Sequence, residues 1–335
     1  MDPGQFFATS RLVIVAGKGG VGKTTVSAAL ARSAARTGLT TLIIEVEGKS
    51  GLASMFGQPP LGYDEVVLSP GGDPSGAADV LARTLTPDDA LIEYLEDHGL
   101  RRISKRLVSS GAVDVVATAA PGIKDILLLG KVKQLERAGN VDLVVLDAPA
   151  AGHAITFLQS ARGLLDAVRV GPINTQARDV LELLTDPARC QVMLVTLPEE
   201  TPVNELVDTA YQLEDRVGVS LGPVVVNGLY PHLPGIGTDP TTAAKEAGAQ
   251  LLRGEARALA DAAEFRQRRS DLQDHQLERL NELLPLPQIH LPFLFDADLG
   301  PAELDVLSDA LLAGVAGVDP TALGVGAPKI DDAAS

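Results

Sequence analysis

An apolar run, Leu12-Val-Ile-Val-Ala16, passes directly into Gly17-Lys-Gly-Gly-Val-Gly-Lys-Thr-Thr25 and then into an Ala/Leu-rich stretch reaching Arg36. Strand, glycine-dense turn and helix in that order point to a parallel α/β sheet, whose strands are covered on both faces and therefore read as continuous apolar runs. Gly17, Gly22, Lys23 and Thr24 satisfy G-x-x-x-x-G-K-S/T in the strand-to-helix context that this pattern requires. Gly17, Gly19, Gly20 and Gly22 let the backbone turn tightly enough for successive N–H groups, Val21 among them, to face an anion, and the helix starting at Lys23 adds its positive end. Lys23 is expected to neutralise the outer phosphates of a nucleotide, and Thr24 to place its hydroxyl on Mg²⁺, with Thr25 in the same cradle.

The rest of the chain repeats the alternation. Strands are expected at Leu12 to Ala16, Thr41 to Val46, Val113 to Thr118, Leu143 to Asp147, Val192 to Leu197, Val224 to Leu229 and Gln288 to Leu291. Helices are expected at Lys23 to Arg36, Ile123 to Arg137, Ala154 to Val168, Glu199 to Val217, Thr242 to Leu284 and Ala302 to Leu312. The fold class is therefore α/β, a mostly parallel sheet flanked by helices. The 335 residues divide into a flexible N-terminus over 1–10, one sheet domain over 11–315 and a flexible tail over 316–335. Stretches near 86–135 and 154–189 exceed a minimal layer and are expected to form a helical subdomain, and Gly57 to Ser75 reads as a loop.

Composition narrows the partners. Lys+Arg 28 against Asp+Glu 44 leaves −16, which disfavours nucleic acid and anionic lipid surfaces. No run approaches the ~18 apolar residues of a membrane span, and the N-terminus lacks a basic segment leading into an apolar one, so a cytoplasmic protein without direct membrane insertion is expected. One cysteine, Cys190, excludes an internal disulfide, a CxxC zinc clamp and an iron–sulfur cluster held by one chain.

Lys18 gives the loop a second lysine, and K-G-G-V-G-K-T resembles the deviant Walker A class of dimeric ATPases. The resemblance implies that Lys18 reaches a partner subunit's nucleotide; a solvated loop lysine is the alternative. Leu143-Val-Val-Leu-Asp-Ala-Pro-Ala-Ala-Gly-His153 resembles the D-T-A-P-T-G-H switch of the arsenite-pump and tail-anchored-protein-targeting ATPases. By that likeness Asp147 holds Mg²⁺ through water, Gly152 lets the segment move, and His153 either reports the switch state or packs locally. Ala120-Pro-Gly-Ile-Lys-Asp125 and Thr196-Leu-Pro-Glu-Glu-Thr-Pro-Val-Asn-Glu205 match two further family elements. Val225-Val-Asn-Gly-Leu229 resembles the strand whose asparagine reads adenine, and Leu291-Pro-Phe-Leu-Phe-Asp296 the segment flanking the base, which assigns Asn227, Pro292 and Phe293 to the base. Asn227 as a simple turn former is the competing reading.

In the first switch the family usually carries D-P-A-H, and here Ile44-Glu-Val-Glu-Gly-Lys-Ser-Gly-Leu52 stands in its place, as in actinobacterial members that occur as paired subunits. Glu47 then falls where the water-positioning aspartate would be, with Glu45 as its neighbour and competitor. A lone cysteine cannot supply an arsenite thiol cluster, and a zinc-closed dimer is not expected. The resemblance implies an Mg·ATP-dependent dimeric ATPase, a homodimer or a heterodimer with a paralogous ATPase, acting on a client or membrane protein, with Lys18, Lys23, Glu47 and Asp147 catalytic. A weakly hydrolysing, nucleotide-gated scaffold subunit is the rival. Chromosome-partitioning relatives would need a basic DNA face or membrane helix, which Val318 to Ser335 does not provide.

Overall fold

All six residues of Leu12–Gly17 (β1) are buried, as a strand covered on both faces must be. The computed structural model describes residues 1–46, 51–72, 76–97, 99, 101–102, 104, 106, 122–149 and 151–323. Among these, Thr41–Val46 (β2), Val66–Ser69 (β3), Val80–Leu85 (β4), Leu143–Asp147 (β5), Cys190–Thr196 (β6), Val224–Leu229 (β7) and Gln288–Pro292 (β8) join β1 in one sheet of order β3-β4-β2-β5-β1-β6-β7-β8. Every pairing is parallel except β3 with β4 at one edge. The fold is thus the mostly parallel α/β sheet expected from the alternation.

Helices in chain order are Pro3–Phe7 (α1), Lys23–Arg36 (α2), Leu52–Met55 (α3), Pro87–Asp97 (α4), Ile123–Ala138 (α5), Ala151–Ala167 (α6), Pro172–Thr185 (α7), Glu200–Arg216 (α8), Pro240–Glu246 (α9), Glu255–Leu283 (α10) and Pro301–Ala316 (α11). The pleat sends Leu12, Ile14 and Ala16 to a core shared with α4 to α8, and Val13 and Val15 to a core shared with α1, α2, α3 and α11. Between the two cores, β1 has β5 on one side and β6 on the other. The crossover after β1, α2, packs on one face of the sheet and those after β5 and β6, α6 to α8, on the other, which opens a crevice at the carboxyl ends of the strands where α/β sheets bind ligands.

Several local readings differ from the structure. The loop expected over Gly57 to Ser75 contains β3, and β4 follows where no strand is expected, because Arg83 interrupts its apolar run; Arg83 lies over the Tyr63 ring at 4.5 Å. The single helix expected from Thr242 to Leu284 is two, since Gly248 and Gly254 adopt left-handed φ of +67° and +91°. Residues 3–7 of the expected loose N-terminus form α1, with Phe6 and Phe7 buried edge to face, and Val318 at the start of the expected tail is buried as well. The apolar character of these three side chains outweighs their terminal position. The strand expected over 113–118 lies outside the described residues.

Candidate functional site

Left-handed backbone is what the loop after β1 demands of its glycines. Gly17 has φ +154°, and a Cβ there would meet the Val195 carbonyl oxygen at 2.4 Å; Gly22 has φ +90°, and its Cβ would meet Asn227 Nδ2 at 2.3 Å. Glycine at both positions is therefore a steric requirement, and Gly22 places the start of α2 at the loop's end. Gly20, at φ +86°, has nothing near its Cβ position and leaves the mouth of the loop open.

Around that mouth the polar side chains converge. The Lys23 ammonium donates to the Lys18 carbonyl at 3.1 Å, the Thr24 hydroxyl donates to Asp147 Oδ2 at 2.6 Å, and the Ser27 hydroxyl donates to Asp147 Oδ1 at 3.4 Å. The first two contacts involve residues expected at the site. Ser27 is an addition that helix geometry could have supplied, since it lies three residues after Thr24 on the same face. Asp147 ends β5 opposite Val15 of β1 and Glu45 of β2. Glu45 is itself buried and accepts from Thr84 at 2.9 Å. Glu47 lies outside the described residues, as does the His153 side chain.

Burial governs the protonation of this group. It pushes the Asp147 carboxyl above the usual carboxylate range, helped by the Glu45 charge and opposed by Thr24, Lys23 and Ser27. It pulls the Lys23 ammonium below its ordinary value, with Asp147 opposing. A folded-state pKa raised above 3.8 means the native protein binds more protons than the unfolded chain in that window, so stability falls as pH rises through it and the cost is fully present above it. Asp147→Asn, whose amide oxygen still accepts from Thr24, is expected to melt at or above the wild-type temperature at neutral pH without nucleotide. A melting temperature below wild type in scanning calorimetry would contradict this ionic cost.

Lys18 is placed differently from Lys23. Its ammonium meets Glu205 Oε1 of α8 at 2.6 Å within the same chain, with the side chains 38% and 43% exposed. On the far side of the loop, Asn227 Nδ2 donates to the Val21 carbonyl at 2.9 Å, tying β7 to the glycine-rich loop. Pro292 ends β8, and the Phe293 N–H donates to the Leu229 carbonyl at 2.7 Å. Phe293 packs edge to face against Tyr230 and Phe295. A cleft of about 540 Å³ opens beside Thr24 and Thr25, bounded by Met55, Asp298 and Gly300. The glycine cradle, the half-buried Lys23 and the Thr24–Asp147 pair fit a nucleotide's phosphates with a divalent cation.

Residues 10–169 match the family model described as Anion-transporting ATPase. The chain is similar to ATPase BagA of Mycobacterium tuberculosis, with 35% identity over 231 residues, covering 67% of this chain and 66% of that one. It is also similar to ATPase get3 of Schizosaccharomyces japonicus, with 29% identity over 177 residues, 50% of this chain and 52% of the relative. The matches thus span about two thirds of the first relative's own length and about half of the second's. No described helix is long and apolar enough to cross a membrane.

Proposed function

We infer the function from one premise: the chain belongs to the anion-transporting ATPase family. We propose that it binds ATP with Mg²⁺ and hydrolyses the terminal phosphoric anhydride, over one sheet domain at 11–315 that includes the helices near 86–135 and 154–189. The observation carrying this reading is the convergence of Lys23, Thr24 and Asp147 on a loop in which Gly17 and Gly22 cannot be replaced without collision. Bound Mg²⁺ supplies charge neutralisation at the phosphates. The chain's own residues do the rest. Gly17 to Gly22 would present N–H groups to the phosphates, Lys23 would neutralise the outer ones, and Thr24 and Asp147 would hold the cation. Glu47, with Glu45 beside it, is proposed to orient the attacking water, and Asn227, Pro292 and Phe293 to receive the base.

Lys18 is proposed to act across a two-fold between subunits, so that ATP closes a homodimer or a heterodimer with a paralogous ATPase, and closure is coupled to a client or membrane protein. In this structure its ammonium is held by Glu205 in a half-exposed pair worth roughly 0.2–1 kcal/mol, which must open before the cation can reach another subunit. Such a pair exchanges easily. The test is a mass measurement of the purified chain with ATP and Mg²⁺. A doubling of mass on nucleotide addition, or co-purification of a second ATPase subunit, is expected; a stable monomer throughout would remove the dimer from the proposal.

A further inference from the structure

The 29-residue helix α10 buries two side chains, and one of them is polar: Gln273, 6% exposed. Burying a primary amide is costly unless its groups are paired, and here they are paired to backbone. Gln273 Nε2 donates to the Gly228 carbonyl at 3.1 Å, and the Tyr230 N–H donates to Gln273 Oε1 at 2.9 Å. Those backbone groups lie where β7 departs from its ladder. The register with β8 shifts between Val226 and Leu229, and Gly228 takes a left-handed φ of +75°. The Gln273 amide therefore bridges the irregular end of β7.

Two of the three residues assigned to the base, Asn227 and Phe293, hang from that end. Asn227 precedes Gly228 and reaches the phosphate loop through Val21, and Phe293 is bonded through its N–H to Leu229. A second hold comes from the preceding turns of α10. The Arg266 guanidinium lies 4.0 Å from the Tyr230 ring centre and donates to the Pro231 carbonyl at 2.9 Å. Without the Gln273 amide, one N–H and one carbonyl at the strand end would lose their partner, and the Asn227 and Phe293 side chains would lose their common anchor.

We propose that Gln273 is a positioning residue for the nucleobase site, setting Asn227 and Phe293 through the backbone of 228–230, with Arg266 as its support. This rests on the reading of Asn227 as the adenine-reading residue. Loss of the two hydrogen bonds corresponds to about tenfold in an affinity.

The test compares Gln273→Leu, Arg266→Met and Asn227→Ala in the full chain, by calorimetric titration with ATP, GTP and tripolyphosphate, and by hydrogen exchange without nucleotide. For Gln273→Leu the expected result is about tenfold weaker ATP binding, a diminished preference for ATP over GTP, unchanged tripolyphosphate binding and faster exchange at Tyr230. Arg266→Met, at a more exposed position, is expected to show the same pattern at about threefold. Gln273→Glu retains the acceptor for Tyr230 but not the donor to Gly228, and is expected to fall between wild type and Gln273→Leu. If Asn227→Ala abolishes the ATP preference while Gln273→Leu and Arg266→Met leave it intact, the positioning role is overturned. If Asn227→Ala itself leaves the preference intact, the reading of the base site fails instead. Should Gln273→Leu not fold, Arg266→Met and Gln273→Glu decide alone, and an unchanged ATP-to-GTP ratio in both overturns the proposal.

Discussion

Lys18→Ala is expected to lower multiple-turnover ATP hydrolysis by about 10³–10⁵-fold, the effect of withdrawing a cation supplied to a transferring phosphoryl group from another subunit, while nucleotide affinity changes only a few fold. The expectation follows from how differently the two lysines of the loop are placed. Lys23 is half-buried and bonds across the loop to the Lys18 carbonyl. The Lys18 side chain turns outward to Glu205 of α8. In this arrangement Lys18 contributes its carbonyl to the loop and its charge elsewhere. An ammonium held by a carboxylate must be released before it can serve another subunit's phosphates, so Glu205 competes with that role. Glu205→Gln, which keeps a neutral acceptor, is expected to leave hydrolysis unchanged or raise it by up to about fivefold, the equivalent of the roughly 1 kcal/mol such a pair contributes at most. Phosphate-release assays at saturating ATP on both variants distinguish the readings. An unaltered rate in Lys18→Ala makes Lys18 a solvated loop residue and favours the nucleotide-gated scaffold.

The phosphate loop was legible in the sequence because its requirements are local. Glycines are needed where φ is positive, and the lysine and threonine follow at fixed spacing on the first turn of α2. The interior strands were legible for a related reason: β1, β5 and β6 are apolar on both faces, so length and β-branching suffice to find them. What stayed hidden depends on distant partners. β4 carries Arg83, whose charge hides the strand, and only the fold brings Tyr63 beneath it. Glu205 was part of a recognised segment, yet its pairing with Lys18 spans 187 positions and has no local signature. Gln273 sits in a helix so polar that nothing in its neighbours marks it as buried; only the break in β7 at Gly228 gives its amide a use. Glu47, on which water positioning depends in the resemblance, lies outside the described residues and is placed by the family pattern aligned on Phe56-Gly57.

Lys23→Ala is expected to reduce kcat/KM for ATP by about 10²–10³-fold, the usual cost of removing one preorganised donor from a site of developing charge, and Lys23→Arg to fail nearly as far because a planar fork does not occupy the place of a point charge. The nucleotide-free protein supplies an independent check on the cost of placing this lysine. Burial lowers its pKa below the ordinary 10.5, with Asp147 opposing. Between the lowered value and 10.5 the unfolded chain binds more protons than the native one, so the Lys23 contribution to stability rises with pH through that window. Lys23→Ala removes that contribution, and its melting temperature should lie above or level with wild type at neutral pH, with the advantage shrinking as the pH is raised. Addition of ATP and Mg²⁺ should reverse the order, because a ligand that binds only the native state raises the melting temperature of the protein that still holds it. A variant that melts lower than wild type at every pH and still shifts with ATP would mean that Lys23 is a packing residue and that the phosphates are held by the backbone cradle alone.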